Sequence, residues 1–263
     1  MRIAIDLQGI QSEGSRTRGI GRYSLHLVRS LIKYYPSNEY FLVANSVLND
    51  LRLELENELL NDNVFYIEWI APCPLDYLSN KNNNINIGTL LRSYTFACLY
   101  PDVVLVTSFL EGFSDNCLTE FDDDILKVPK VSIFYDLIPL LNKKLYLINN
   151  PEFAEYYYKK ISRLKDFDGL LAISHSSAFE VISYLDYEKS KVFNISSACD
   201  SEIFNTNLGK QILPIQLDID KPYLLYVGAG DPRKNLKRLI EAFSQLSDEL
   251  KHFNLVLAGK LLD

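Results

Sequence analysis

The chain is short of the residues on which several kinds of chemistry depend. Its four cysteines, at 73, 98, 117 and 199, stand far apart and form no C-x-x-C pair. That excludes a dithiol redox motif and argues against a disulfide scaffold in a chain of 263 residues. Only three histidines occur, His26, His175 and His252, and their spacing suits neither a metal site nor a catalytic triad. No apolar run approaches the roughly 20 residues of a spanning helix. Positive charge is also scarce: 27 Lys and Arg face 34 Asp and Glu, a formal net charge of −7. Nucleic acid demands a broad basic face, so it is not an expected partner, and any anion site must be local. The opening "MRIAIDLQGI" reaches Asp6 at once and does not read as a leader. Widely spaced thiols and no leader point to the cytoplasm.

What is present is a globular composition, 48% hydrophobic and 23% charged. Short β-rich runs alternate with longer helical patterns. The candidate strands are 2–7, 40–45, 64–70, 102–108, 130–136, 169–174 and 191–196. Several are apolar on consecutive residues, which implies burial on both faces, as in a parallel sheet between helices. Helical spacing marks 21–35, 48–60, 87–100, 151–166 and 177–186, with Ser177 and Glu180 as a capping box. The alternation predicts a doubly wound, Rossmann-like α/β domain over 1–205. A polar linker follows at 206–222. Then strand 223–228, helix 233–247 and strand 254–259 begin a second Rossmann-like domain over 223–263. One β-α-β unit cannot bury its own apolar faces, so this second domain reads as incomplete.

Two places gather cations at the start of a helix, where the macrodipole is already positive. In "DPRKN" (231–235), Asp231 suits an N-cap and Pro232 the first helical position, which puts Arg233 and Lys234 in the first turn. In "QGIQSEGSRTRGIGRYS" (8–24), Gly14, Gly19 and Gly21 lie among Arg16, Arg18 and Arg22. Each place follows the first strand of an α/β unit, and each suits an anion held by free N–H groups. The alternative is a tight turn with solvated arginines. A nicotinamide site fits poorly, because Ser24 replaces the third glycine and the second strand ends in Asn45 instead of an acid.

Other signals are weaker. "FDDD" (121–124) has an Asp-x-Asp pattern but reads as a solvated charge run, so no metal is expected. His175 follows a strand and serves either a ligand or, preferably, the start of the next helix. In "FYDLIPL" (134–140), Tyr135 and Asp136 end a buried strand, and Pro139 should keep the chain from turning helical. A phenol and a carboxylate there suit a hydroxyl-rich ligand; a capped turn is the alternative. "YYYKKISRLK" (156–165) clusters aromatics and cations as interfacial helices do, which raises contact with the inner membrane face.

The segments "RGIGRYS", "TSFLEGFSDN", "IFYDLIPL", "LLAISHSSAFEVISYL", "VFNISSACDSEIF" and "YVGAGDPRKNLKRLIEAF", in this order, resemble the retaining glycosyltransferases of family 4. Such enzymes have the two-Rossmann-domain architecture called GT-B, and the nearest resemblance is to bacterial enzymes that add mannose or similar sugars to O antigen and other surface polysaccharides. The resemblance implies that Arg233, Lys234 and Gly228 hold the diphosphate of a nucleotide sugar such as GDP-mannose. It implies that the loop of Arg18, Gly19, Gly21 and Arg22 closes on donor and acceptor, and that Tyr135 and Asp136 stand in the reaction site. No cofactor is implied. Transfer would proceed with retention to a polysaccharide or lipid-linked acceptor.

The chain departs from that pattern in three ways. Tyr135 stands where many relatives have His, and Ala229 where many have Arg. The paired glutamates of the family are absent; "EGF" (111–113) only imitates their start. The expectation is therefore a fragment, inactive alone and completed by a partner chain. A non-catalytic binding remnant is the alternative.

Overall fold

A computed structural model describes residues 1–78, 84–199, 221–246 and 252–259. The chain divides into two units, Met1–Cys199 and Asp200–Asp263. Most of the expected linker, 206–220, lies outside the described residues.

The first unit is a seven-stranded sheet, parallel throughout, in the order β3-β2-β1-β4-β5-β6-β7. Its strands are β1 (Arg2–Asp6), β2 (Glu39–Asn45), β3 (Val64–Trp69), β4 (Val103–Val106), β5 (Lys130–Phe134), β6 (Gly169–Ala172) and β7 (Val192–Asn194). The five inner strands are buried on both faces, and their alternate residues enter two separate cores. Ile3, Ile5, Tyr40 and Leu42 pack with Val28 and Ile32, from the helix over Gly19–Tyr34, on one side. Ala4, Phe41, Val43, Val104 and Phe134 pack with Phe96, Tyr157, Ile161 and Val181 from helices on the other. Chain order reverses between β1 and β4, so the loops after these two strands meet at a topological switch point, where α/β sheets bind ligands.

The helices are α1 (Gln8–Gln11), α2 (Gly19–Tyr34), α3 (Asn84–Cys98), α4 (Ile138–Leu141), α5 (Lys143–Tyr146), α6 (Pro151–Ser162) and α7 (His175–Leu185). Four expectations need correction. Residues 48–60 form turns and one 3-10 turn, Glu58–Leu60, because side chains divert the backbone: Arg52 N–H goes to Asp50, and the Gln11 amide donates to Asn49 O. Pro139 does not prevent a helix; it sits in the first turn of α4, where its missing N–H has no cost. Helix α7 is capped by Ser174, whose Oγ accepts from Ser177 N at 3.0 Å, while Glu180 accepts instead from Leu137 N. Finally, 156–165 presents only part of its aromatic and cationic cluster, since Tyr156, Tyr157, Lys160 and Ile161 are all buried while Tyr158, Lys159 and Lys165 are exposed. Among the described residues no helix is long and apolar enough to cross a membrane.

The second unit pairs β8 (Tyr223–Val227) with β9 (Asn254–Ala258) in parallel and carries α8 (Leu236–Ser244). The helix expected from 233 starts later. Pro232–Lys234 is a 3-10 turn, and Asn235 adopts a left-handed conformation (φ 51°), one that Asn tolerates better than most residues.

Candidate functional site

The switch-point end of the first sheet is knitted by buried amides. Gln8 Nε2 donates to Asp6 Oδ1 at 3.1 Å and to Leu118 O at 2.6 Å, while Gln8 Oε1 accepts from Leu118 N and from Asn45 Nδ2. Gln11 Oε1 accepts from Asn45 N at 2.9 Å. These three side chains fix the loops after β1, β2 and β4 to one another. Beneath them Arg92 is fully buried, 3.3 Å from Asp6 Oδ2 and with its guanidinium 3.6 Å from the Phe121 ring centroid. Burial raises the Asp6 carboxyl more than the Arg92 charge lowers it.

On this base sits the arginine loop. Gly21 N donates to Ser15 O, and a Cβ at Gly21 would lie 2.6 Å from both Ser15 O and Arg16 O. Gly21 is therefore needed for the loop to close on its own backbone. Gly19 has open space around it. Helix α2 begins at Gly19 with no side-chain cap and no acid in its first turn. Arg18 and Arg22 are exposed beside this uncapped end, whereas Arg16 pairs with Glu54.

Tyr135 and Asp136 reach the same edge from β5. The Tyr135 hydroxyl lies 2.7 Å from Ser24 Oγ and within 3.3 Å of Ile20 O and Thr107 O. Burial raises its pKa strongly, so the phenol stays protonated, and its hydroxyl serves the packing of α2. Asp136 Oδ1 accepts from Ile138 N at 3.0 Å, which makes it the cap of a turn.

Sequence reasoning passed over one feature here. Glu111, in the loop after β4, is met by the hydroxyls of Ser12, Ser15 and Ser108. Burial raises its carboxyl, those hydrogen bonds oppose the shift, and Asp115 adds to it. The readable signal was a set of small hydroxyl residues flanking two adjacent strand ends, with acids among them.

In the second unit, Gly228 N donates to Ala258 O at 2.9 Å, and a Cβ at Gly259 (φ 137°) would strike Gly228 O. The strand ends thus approach as only glycine permits. Asp231 caps the 3-10 turn through Arg233 N and also grips the Arg233 guanidinium, at 3.1 Å to Nε and 2.9 Å to Nη2. Lys234 is exposed, with no ion pair among the described residues. The "FDDD" carboxylates have local tasks: Asp122 caps a turn through Asp124 N, and Asp123 pairs with Lys130 at 2.9 Å.

No family model matches the chain. A serotype-specific mannosyltransferase WbdA of Escherichia coli is 33% identical over 270 residues, covering 99% of this chain and 32% of that protein. A second protein of the same name and organism is 33% identical over 218 residues, 81% of this chain and 26% of its own length. The chain thus spans about a third or less of the curated relatives it matches. Among solved structures, a glycosyltransferase from Rickettsia africae aligns over 98% of this chain and 68% of its own, with a TM-score of 0.49 and 13% identity.

Proposed function

We propose that residues 1–205 are the acceptor-side domain, and 223–263 the start of the donor-side domain, of a GT-B glycosyltransferase of the family 4 type. The reaction is transfer of mannose or a similar hexose, with retention, to a polysaccharide or lipid-linked acceptor. The observation that carries this reading is 33% identity to a mannosyltransferase across 99% of the chain. Two local features support it: an uncapped helix start flanked by Arg18 and Arg22, and the exposed Lys234 beside the Gly228 turn. The helix start has no acid in its first turn, and Lys234 has no ion pair among the described residues although Asp231 holds its neighbour Arg233; both suit a diphosphate.

In this reading the donor is a nucleotide sugar such as GDP-mannose. Lys234 meets the charge on its diphosphate, so no metal or other cofactor is needed. Catalysis consists chiefly of stabilising the departing phosphate and holding the acceptor on the same face of the sugar. Tyr135 and Asp136 then shape the edge of the site, since their polar atoms are already engaged.

The test is calorimetric titration of the chain with GDP, GDP-mannose and NAD, with and without EDTA. Saturable binding of GDP and GDP-mannose, indifferent to EDTA and stronger than that of NAD, is expected. Binding of NAD alone, or of nothing, would overturn the reading.

A further inference from the structure

Ser12 Oγ stands 3.0 Å from Glu111 Oε2 and 2.6 Å from Asp115 Oδ2. A serine hydroxyl has one proton, so it can donate to only one of two carboxylates. If both acids were ionised, one of these contacts would set lone pair against lone pair at a buried serine. Ser12 is 1% exposed, and Ser15 and Ser108 are each 3% exposed. The other Glu111 oxygen, Oε1, already accepts from Ser15 and, at 2.9 Å, from Ser108. Asp115 has its own donor besides Ser12, the Cys117 N–H at 3.2 Å, and it has the shorter contact with Ser12. The missing proton therefore belongs on Glu111 Oε2. We propose that Glu111 is protonated in the folded protein, and that the chain Glu111–Ser12–Asp115 is a pH-sensitive latch holding the arginine loop 12–18 against the loop after β4.

The surroundings favour a neutral Glu111. From α6, the Tyr156 hydroxyl donates to the Glu111 main-chain oxygen. Cys117 and Asp115 come from its own loop, and Tyr135 from β5; none of these groups is a cation. The one loop cation close to the latch, Arg16, is committed to Glu54. Among the described residues no cation pairs with Glu111. Two ends of the loop are bound at once, since Ser12 and Ser15 both meet the same carboxyl, and Gly21 N closes the turn on Ser15 O. Loss of the proton would set two carboxylates on one serine hydroxyl with no cation paired to Glu111 among the described residues, which costs more than the hydrogen bonds return.

A group whose carboxyl is raised on folding supports the folded arrangement below its ordinary value and loses that support as pH rises through the raised one. The latch is therefore closed in mild acid and loosens toward alkali. This holds whether or not the chain transfers sugar, so the test needs no substrate. Hydrogen exchange of residues 12–21 is followed from pH 5 to 8, each rate corrected for the intrinsic pH dependence of exchange. In wild type, protection should fall by about tenfold or more across the range. Glu111→Gln keeps the neutral hydrogen bonding, with its amide donating to Ser12, and its protection should be high and flat. Ser12→Ala breaks the chain without removing the carboxyl and should lower protection throughout. Selective labelling of glutamate carboxyl carbons supplies a second readout, a signal titrating above the others and absent from Glu111→Gln. Flat protection in wild type, or a Glu111 signal that titrates with the exposed glutamates, would overturn the proposal.

Discussion

Lys160 Nζ lies 2.8 Å from Glu120 Oε1 and 2.7 Å from Thr119 Oγ1, with the lysine side chain 3% exposed. The ammonium also faces the Phe109 and Tyr156 rings. A buried ion pair of this kind adds little net stability over apolar residues of the same shape, but removing one partner strands the other. Lys160→Ala should therefore cost about 3–5 kcal/mol in urea denaturation, while Lys160→Met with Glu120→Leu should recover most of it. A loss under 1 kcal/mol for the single change would show that water reaches Glu120.

The same pair sets a pH dependence. Burial alone would raise the Glu120 carboxyl, but the Lys160 charge and hydrogen bond, together with a backbone N–H and the Arg163 charge, hold it below the ordinary value. A lowered carboxyl contributes stability above its unfolded value and loses it as pH falls through the folded one. Wild type should thus keep this contribution at pH 5 and shed it on further acidification. Lys160→Met should move the acid midpoint upward; an unchanged midpoint would mean that other carboxyls govern acid unfolding.

Gly21 and Gly19 make a controlled contrast within one loop. A Cβ at 21 meets two backbone oxygens that cannot rotate away, whereas a Cβ at 19 meets nothing. Gly21→Ala should cost about 1–3 kcal/mol and loosen the arginine loop, and Gly19→Ala should leave stability unchanged or slightly higher. Thermal unfolding of the two variants side by side decides it. Equal effects would mean that the loop closes differently from the arrangement seen here.

Much of the fold was legible in the sequence. The nine described strands fall where apolar runs predict them, because a run of consecutive apolar residues leaves a compositional mark that needs no partner to be read. The helix boundaries were less so. Asn235 splits the expected helix by a backbone conformation, and Asp50 and Gln11 take backbone bonds from 48–60, both effects of single side chains that periodicity ignores. The candidate cations Arg18 and Arg22, and separately Arg233 and Lys234, could be picked out because the members of each set lie within a few residues of one another. Glu111 and Ser12 were not, for they are 99 residues apart and meet only because β1 and β4 are neighbours. Nothing in the local sequence marks Arg92 and Lys160 as buried, since their partners Asp6 and Glu120 come from distant segments.

Within the second unit the two adjacent cations should not be equivalent. Arg233 is held in a bidentate grip by Asp231, while Lys234 is unpaired among the described residues. Charge-assisted bonds to phosphate are worth roughly 1.5–3 kcal/mol, so Lys234→Ala should weaken GDP binding by about tenfold or more. Arg233→Ala should weaken it less, because its charge is already offset. Titration of both variants with GDP checks the order, and unchanged affinity in Lys234→Ala would remove this residue from the donor site.

The two-stranded sheet of the second unit shows apolar side chains to solvent: Leu225 is 56% and Val227 73% exposed. These residues lie two apart on β8 and so share a face, with Tyr223 (49% exposed) continuing the same stripe. Each strand also has one edge without a partner among the described residues. An apolar face beside unpaired N–H and C=O groups is a template for another copy of the same strand. The chain should therefore self-associate at micromolar concentration. Leu225→Lys with Val227→Lys places two like charges on that face, where they repel across any strand-to-strand contact. The double variant should shift the population to monomer in light scattering while Tyr40 and the other core residues of the first unit remain buried. A wild type that is monomeric, or a variant that associates equally, would show that β8 is covered in solution and that its exposed stripe is not the adhesive surface.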